Sequence, residues 1–333
     1  MSDLLKDLPL VSVITPSWNR GDYLELIAKS LESQTYKNIE WLIADDGSTD
    51  NTEKIVENIT LKYNFPITYI KSSLRVGKAV LDNILIEKSS GKYLLFNDSD
   101  DHLKPFAIEK LVRGFLLNEK KVKNLVCSIG LCEDTEGNLQ TELRYKSREA
   151  VIFDAENIND YFVNDATILT KASVVKKHRF LEVDLVITES SFWMKIFKKN
   201  KVILTPVVMK TMDRGAENSV TFSKKIRYCR GFAYAIGESE TKEIYMNRKL
   251  IERVKKKVTF FRYCIHGDIS FSSTRKIWPI VNNQFISFYY LIGLSLAVMD
   301  RIRNKVEKTH VDFINGQRYS KISVIKKNSL KVQ

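Results

Sequence analysis

The chain has 333 residues, of which 44% are hydrophobic and 28% are charged, and this composition excludes an intrinsically disordered protein and predicts a folded core. The formal net charge of +13 is unevenly distributed: residues 221–333 hold 23 Lys or Arg against 8 Asp or Glu, a net of +15, whereas residues 1–220 hold 30 against 32, a net of −2. The basic excess of the last third predicts an anionic partner there, such as a phospholipid surface, polyphosphate or nucleic acid.

The cysteines and the first residues indicate a reduced compartment. None of the four cysteines forms a CxxC pair, and residues 1–10 lack the charged-then-apolar pattern of a signal peptide. The largely apolar run at residues 285–299 is shorter than the roughly 20 residues needed to span a bilayer. We therefore expect a cytoplasmic protein without a transmembrane helix.

Strand and helix signals alternate along the first hundred residues. Apolar, often β-branched runs predict four strands, at residues 10–15, 39–44, 67–70 and 93–96. Helices are predicted between them, at residues 22–31, from 49 or 50 to 59, and at 77–88. This alternation is typical of a mostly parallel, Rossmann-like α/β sheet covered by helices. Ligands of such sheets bind beyond the carboxyl ends of the strands, and polar clusters follow three of them, at residues 16–20, 45–46 and 98–101.

Beyond residue 105 the pattern becomes mixed and then basic. Helices are predicted at residues 105–117 and 189–199, each followed by a strand, at 124–130 and 202–209. From residue 224 onward the pattern is helical and rich in Lys and Arg. We therefore predict an α/β domain at residues 1–220 and a basic, mainly helical C-terminal region at residues 221–333.

Three carboxylates lie within four residues directly after the fourth strand: Asp98, Asp100 and Asp101. Acidic groups this close repel one another, so a fold tolerates them best with a cation between them. Asp98 and Asp100, separated by the small Ser99, could both reach one hard divalent ion, or one could reach the ion and the other a ligand hydroxyl. The alternative is a solvated acidic turn before the next helix.

Four strings taken in order resemble those of family 2 glycosyltransferases of GT-A fold. They read VSVITPSWNR, IADDGSTD, GK with a later N, and FNDSDD, at residues 11–20, 43–50, 77–83 and 96–101. The resemblance covers about a third of the chain. It implies that the first strands bind the nucleotide of an activated sugar, usually a UDP-sugar, and that the DxD region holds its pyrophosphate through Mg²⁺ or Mn²⁺.

The resemblance assigns the nucleotide to residues after the first two strands. The backbone around Pro16 and the ring of Trp18 would cradle the base and ribose, with Arg20 on the nucleotide side. Asp46 would accept the uracil N–H, a role that suits an acceptor-only carboxylate. Asp45 is expected to shape the turn.

The resemblance also assigns the sugar and the metal to the acidic string. Asp98 and Ser99 would meet ribose or sugar hydroxyls, Asp100 is the first choice for the metal ligand with Asp98 beside it, and Asp101 is expected to be structural. Lys78 or Arg75 would neutralise the pyrophosphate, and Arg214 lies in a string resembling a family loop that closes over donor phosphates. For these basic residues the alternative is a solvated surface charge.

The acceptor hydroxyl must lose a proton during transfer, and this requires a base. The family places a Glu-Asp pair at the start of a helix before an aromatic-rich segment, and Thr188-Glu189 occupies that place here. Glu189 is therefore the candidate base. A single base without a second carboxylate nucleophile implies inversion of the anomeric centre, as the resemblance also does. The alternative is that Glu189 only opens a helix and interacts favourably with its dipole.

These features predict a bacterial-type, metal-dependent, inverting glycosyltransferase that adds one sugar to a glycan or lipid-linked precursor of a surface polysaccharide. One alternative is a nucleotidyltransferase, although residues 16–20 lack the expected glycine- and lysine-rich loop. Another is a non-catalytic scaffold of the same fold, which the altered Glu189 segment permits.

The partner of the basic C-terminal region is left open by the sequence. Nucleic acid is disfavoured because no helix-turn-helix, zinc or RRM signature is present. The interleaved aromatic residues suit a helix lying on an anionic bilayer, at the inner face of the cell membrane. The alternative is packing against the sheet domain or a second subunit in a homo-oligomer.

Overall fold

The computed structural model describes residues 8–145, 149–213, 228–240, 245–246, 248–281, 285–303, 305–306 and 322–328. Its strands are β1 (Val11–Ser17), β2 (Ile39–Asp45), β3 (Ile67–Ser72), β4 (Tyr93–Phe96), β5 (Asp101–Leu103), β6 (Leu125–Asp134), β7 (Thr141–Leu143), β8 (Val151–Asp154), β9 (Phe162–Asn164), β10 (Thr167–Lys171), β11 (Lys201–Met212) and β12 (Ile322–Asn328). Its α-helices are α1 (Gly21–Glu32), α2 (Thr52–Lys62), α3 (Lys78–Lys88), α4 (Ala107–Asn118), α5 (Ile158–Tyr161), α6 (Ala172–Val175), α7 (Ser190–Phe197), α8 (Cys229–Ser239), α9 (Leu250–His266), α10 (Phe271–Ile277) and α11 (Ile286–Ile302). Short 3₁₀ turns cover Ala155–Asn157 and Pro279–Val281.

The first four strands form the parallel half of the central sheet, in the order β3-β2-β1-β4. All seven residues of β1 are buried because helices cover both faces of the sheet. Side chains alternate along each strand: Leu42 faces the core beneath α3 and α7, and Trp41 and Ile43 face the core beneath α1, α2 and α4. The predicted mostly parallel, helix-covered α/β sheet is confirmed.

The second half of the sheet is mixed. β10 runs antiparallel between β4 and β6, β11 runs parallel to β6, and β5 pairs antiparallel with β11. β8 also pairs with β11, and β7 and β9 form a separate two-stranded sheet. The register of β11 on β6 shifts between Leu204 and Val208, around Pro206, whose missing N–H cannot take part in a ladder. This arrangement carries β11 alongside β5 and therefore next to the acidic string.

Several predicted boundaries were wrong by a few residues. α1 begins at Gly21, one residue before the predicted start, and Asp22 lies in its first turn. α2 begins at Thr52, because the Asp50 carboxylate accepts hydrogen bonds from the Thr52 amide and hydroxyl and holds the chain in a turn there. α7 covers Ser190–Phe197, with Glu189 immediately before it.

The C-terminal helices have a core of their own. α8, α9, α10 and α11 surround the fully buried side chains Phe260, Phe261 and Trp278. One prediction for this region was incomplete: Ile322–Asn328 is a strand, β12, which pairs antiparallel with β3 at the edge of the central sheet. Among the helices described, none combines the length and the apolar character needed to cross a bilayer.

Candidate active site

A cavity of about 570 Å³ opens at the carboxyl ends of the parallel strands. Nine predicted site residues line it together: Pro16, Trp18, Arg20, Asp46, Lys78, Asp98, Ser99, Asp100 and Glu189. They come from the ends of β1, β2 and β4 and from the starts of α3 and α7. The tenth, Arg214, lies outside the described residues.

One end of the cavity combines an aromatic ring, a cation and a buried carboxylate. The Arg75 guanidinium lies 3.7 Å from the centroid of the Trp18 ring, a cation–π contact. Asp46 Oδ1 accepts hydrogen bonds from the amides of Val76 (2.6 Å) and Gly77 (3.0 Å), and Arg75 Nε lies 3.3 Å from its Oδ2. Burial raises the pKa of Asp46, although these donors act in the opposite direction. Asp46 therefore holds the 75–77 loop against the end of β2.

The neighbouring Asp45 has a different role. Its Oδ1 accepts from the Ser48 amide at 2.8 Å and its Oδ2 from the Tyr69 hydroxyl at 2.5 Å. The prediction that Asp45 shapes the turn is confirmed, and only Asp46 of the pair lines the cavity.

Lys78 lies at the centre of a group of carboxylates. Its Nζ is 2.6 Å from Glu189 Oε1, 3.0 Å from Asp82 Oδ2 and 3.5 Å from Asp98 Oδ1. Burial alone would lower the pKa of Lys78, but the three carboxylates raise it well above its ordinary value. The ammonium is therefore charged and is the counter-ion for acids from three separate elements.

A close backbone contact fixes Lys78 there. The Lys78 amide donates to the Leu185 carbonyl at 2.9 Å. Gly77 has a φ of +97°, and a Cβ at this position would lie 2.7 Å from the Leu185 Cα. Only glycine fits this position without displacing the backbone of the 181–189 segment.

The acidic string after β4 separates into two parts. Asp98 and Asp100 line the cavity, whereas Asp101 is buried and forms an ion pair of 2.5 Å with Lys210 of β11. Lys78 lowers the pKa of Asp98. Burial and the neighbouring Asp98 raise the pKa of Asp100, against the opposing charge of Arg20.

These two carboxylates suit a hard divalent cation. Within the described ranges no group of three or more His, Cys, Asp or Glu side chains is arranged to hold a metal. Mg²⁺ and similar ions, however, are commonly held by one or two carboxylates, with the remaining positions filled by substrate phosphates and water. Asp98 and Asp100 both line the cavity and both present hard carboxylate oxygens, so the pair fits such an ion.

Glu189 lines the same cavity, immediately before α7. Among the described residues its carboxylate also contacts the Trp193 indole, whose Nε1 donates to Oε2 at 3.1 Å. The Trp193 ring also packs against Phe96 at the end of β4, with centroids 5.1 Å apart. Trp193 is partly buried against the core and therefore orients Glu189 from that side.

Two charged residues in these ion pairs, Asp82 and Lys210, were not predicted from the sequence. Asp82 is a buried partner of Lys78, and the Lys-x-x-x-Asp spacing on one helix face was the available signal. Lys210 had no local signal, because its partner Asp101 lies on another strand. The neighbouring Asn83, whose role the sequence left open, holds Phe180 by its amide and carbonyl.

The chain matches a known protein family and is similar to individual known proteins. Residues 12–179 match the family model described as glycosyl transferase family 2. An uncharacterized glycosyltransferase of Haemophilus influenzae is 30% identical over 269 residues, which cover 80% of this chain and 99% of that protein.

Two further similarities extend this result. The GalNAc(5)-diNAcBac-PP-undecaprenol beta-1,3-glucosyltransferase of Campylobacter jejuni is 26% identical over 195 residues, which cover 58% of this chain and 61% of that protein. The match therefore spans about three fifths of the Campylobacter protein. Among solved structures, S. aureus TarS 1–349 in complex with UDP-GlcNAc has a similar fold, with a TM-score of 0.59 and 18% identity, covering 89% of this chain and 83% of that one.

Proposed function

The chain belongs to glycosyltransferase family 2 and has the GT-A fold, and from this premise we propose that it transfers a single sugar, with inversion, from a UDP-sugar to a hydroxyl of a glycan or lipid-linked acceptor, aided by Mn²⁺ or Mg²⁺. Its class as a glycosyltransferase follows from the family. The observation that carries the finer proposal is the convergence of Trp18, Asp46, Asp100 and Glu189 on one cavity.

The nucleotide occupies the end of the cavity formed by Pro16, Trp18, Arg20 and Asp46. The Trp18 ring offers a stacking surface for the base, and the Asp46 carboxylate is an acceptor for the uracil N–H. The UDP-GlcNAc in the TarS complex supports a UDP-linked donor for a chain of this fold.

The diphosphate lies between the nucleotide end and Asp98-Ser99-Asp100. Asp100, with Asp98 beside it, would hold the divalent cation, and Lys78 and Arg75 would contribute further positive charge to the diphosphate. A bound cation neutralises the charge that develops on the departing diphosphate. Arg214 is assigned to a loop that closes over these phosphates.

Glu189 takes the proton from the acceptor hydroxyl. As the acceptor oxygen forms a bond to the anomeric carbon, the bond from that carbon to the diphosphate oxygen breaks and UDP leaves. Because a single displacement occurs, the anomeric configuration inverts. The bonds from Lys78 and Trp193 support this role, since they fix the direction of the Glu189 carboxylate before the substrate arrives.

Residues 1–220 form the catalytic domain in this proposal, and residues 221–333 form the contact region for a membrane surface or a second subunit. The undecaprenol-linked substrate named for the Campylobacter relative supports a lipid-linked acceptor and a role in bacterial surface polysaccharide synthesis.

A panel of nucleotide sugars tests the proposal most broadly. Thermal stabilisation and slow donor hydrolysis would be measured for UDP-, GDP-, CDP- and dTDP-sugars with Mn²⁺, Mg²⁺ or a chelator. We expect a response to UDP-sugars that depends on the metal. A response confined to another nucleotide would overturn the assigned donor, and no response to any would favour the non-catalytic alternative.

A further inference from the structure

The last helix in the described part of the chain, α11, exposes a long apolar face. Five large side chains project from it into solvent: Phe288 (58% exposed), Leu291 (59%), Leu294 (36%), Val298 (46%) and Ile302 (78%). They recur at helical spacing along one side of Ile286–Ile302.

The opposite face of α11 is already occupied. Ile286, Gly293 and Ala297 are buried, and Gly293 lies so close to α9 that a Cβ would be 2.8 Å from the Phe261 Cβ. No charged residue occurs between positions 286 and 299. A helix that is apolar on its inner and outer sides normally has a partner on each.

The described surface of the C-terminal region is basic. In the described part of the C-terminal region the exposed bases are Lys249, Lys255, Arg275, Lys276, Arg301, Arg303 and Lys305, and the exposed acids are Glu252 and Asp268. The other described acids of this region are ion-paired: Asp300 with Arg262 and His266, Glu240 with Arg248 and Lys256, and Glu238 with Lys195. Arg301 and Arg303 directly flank the exposed Ile302.

We propose that the outward face of α11 lies on an anionic lipid bilayer, with its apolar side chains in the boundary between headgroups and acyl chains and with Arg301 and Arg303 at the lipid phosphates. An amphipathic surface bordered by Lys and Arg has the chemistry that such a membrane binds. The inference goes beyond the proposed transfer reaction and does not depend on it.

A second copy of the chain suits this surface less well. In a two-fold dimer the same patch lies on both subunits, so two surfaces with an excess of exposed Lys and Arg would face each other. Their mutual repulsion opposes association, whereas an anionic bilayer attracts the same charges.

Cosedimentation of the full chain with vesicles tests the proposal. Phosphatidylcholine vesicles would be compared with vesicles that also contain phosphatidylglycerol, at low and high salt. We expect binding only to the anionic vesicles and weaker binding at high salt, because salt screens the charges.

Two pairs of matched variants assign the binding to this face. The double variant Leu291→Ser/Val298→Ser should weaken vesicle binding about tenfold or more, since two apolar side chains no longer enter the lipid. Leu61→Ser, at a position 84% exposed on α2, is its control and should bind normally. Arg301→Gln/Arg303→Gln should lose the preference for anionic lipid, and Lys120→Gln/Lys121→Gln, exposed after α4, should keep it.

Light scattering after size-exclusion chromatography tests whether a second copy of the chain covers the α11 face. A dimer that the α11 variant dissociates, with no vesicle binding, would overturn the proposal in favour of a second copy. A monomer that binds no anionic vesicle at low salt would overturn it as well, and so would vesicle binding that the α11 and arginine variants leave unchanged. Circular dichroism and melting of each variant establish that these results concern folded protein.

Discussion

Lys78 Nζ lies 2.6 Å from Glu189 Oε1 and only 3.5 Å from Asp98 Oδ1, so one ammonium contacts both the candidate base and the acidic string after β4. Glu189 precedes α7 and Asp98 follows β4, and 111 residues separate Lys78 from Glu189. Lys78 therefore orients the candidate base and limits the repulsion between the acids. Because Glu189 and Asp98 both contact Lys78, we expect a substitution of either acid to affect the other.

The base assignment predicts a separation of binding from transfer. Glu189→Gln keeps an oxygen that can accept from Lys78 and Trp193, but it removes the group that takes the proton. We expect transfer to fall by about 10²- to 10⁴-fold, with the donor Kd changed by less than about threefold. Sugar transfer and UDP-sugar calorimetry measure the two effects. Glu32→Gln, exposed at the end of α1, is the control, and an active Glu189→Gln enzyme would move the base elsewhere.

The Asp46 assignment predicts discrimination between pyrimidines. The uracil N3–H can donate to the carboxylate, whereas N3 of neutral cytosine carries no hydrogen. UDP should bind about tenfold to a hundredfold more tightly than CDP, because only uracil can add a further hydrogen bond to this carboxylate. Asp46→Asn should reduce this ratio towards one. Competition binding of the two nucleotides measures it, and an unchanged ratio in the variant would remove Asp46 from base recognition.

Asp101 differs from its neighbours in being structural. Its ion pair with Lys210 is buried, with side chains 2% and 7% exposed. Asp101→Asn leaves the lysine charge buried without its carboxylate, which should reduce the free energy of unfolding by about 3–5 kcal/mol. The double variant Asp101→Leu/Lys210→Met should recover most of this loss, since neither charge remains. Denaturant unfolding of the three proteins decides, and a stable single variant would contradict the account.

The helical core predicts a stability difference that depends on pH. Burial would raise the pKa of Asp300, but its bonds from Arg262 and His266 lower it below the ordinary 3.8. The contribution of this carboxylate is therefore complete above pH 3.8 and is lost as the pH falls through the lower folded value. Asp300→Asn should cost about 2 kcal/mol near neutral pH, and the difference from wild type should shrink in acid. Melting curves across pH test this, with Glu252→Gln as control; a difference that persists in acid would contradict the role.

The parallel half of the fold was predictable because each element there is encoded locally. The runs in β1, β2 and β4 are buried on both faces, so their sequences are almost continuously apolar, and β1, β2 and β3 pair in their order along the chain. The direction of β10 was not predictable. Its five residues fit an antiparallel place between β4 and β6 only because of the neighbours that the rest of the chain supplies.

The positions of the site residues at one edge of the sheet were also predictable from the sequence. Trp18, Asp46 and Asp100 each follow a buried strand, and parallel strands bring their carboxyl ends to one edge. The contacts between these groups were not predictable. Lys210 reaches Asp101 across 109 residues, and Arg75 reaches the Trp18 ring through a loop whose shape depends on the Asp46 carboxylate.

We propose that the acids after β4 hold a cation that binds the donor diphosphate. Calorimetry of UDP with and without Mn²⁺ tests this proposal most directly. We predict that wild type binds UDP at least about tenfold more tightly with Mn²⁺ than with a chelator, since the ion neutralises charge between carboxylate and phosphate. Asp100→Ala should bind with the same weak affinity in both conditions, whereas Asp22→Ala, exposed on α1, should behave as wild type. Equal UDP affinity of wild type with and without Mn²⁺, or an undiminished Mn²⁺ effect in Asp100→Ala, would contradict the account.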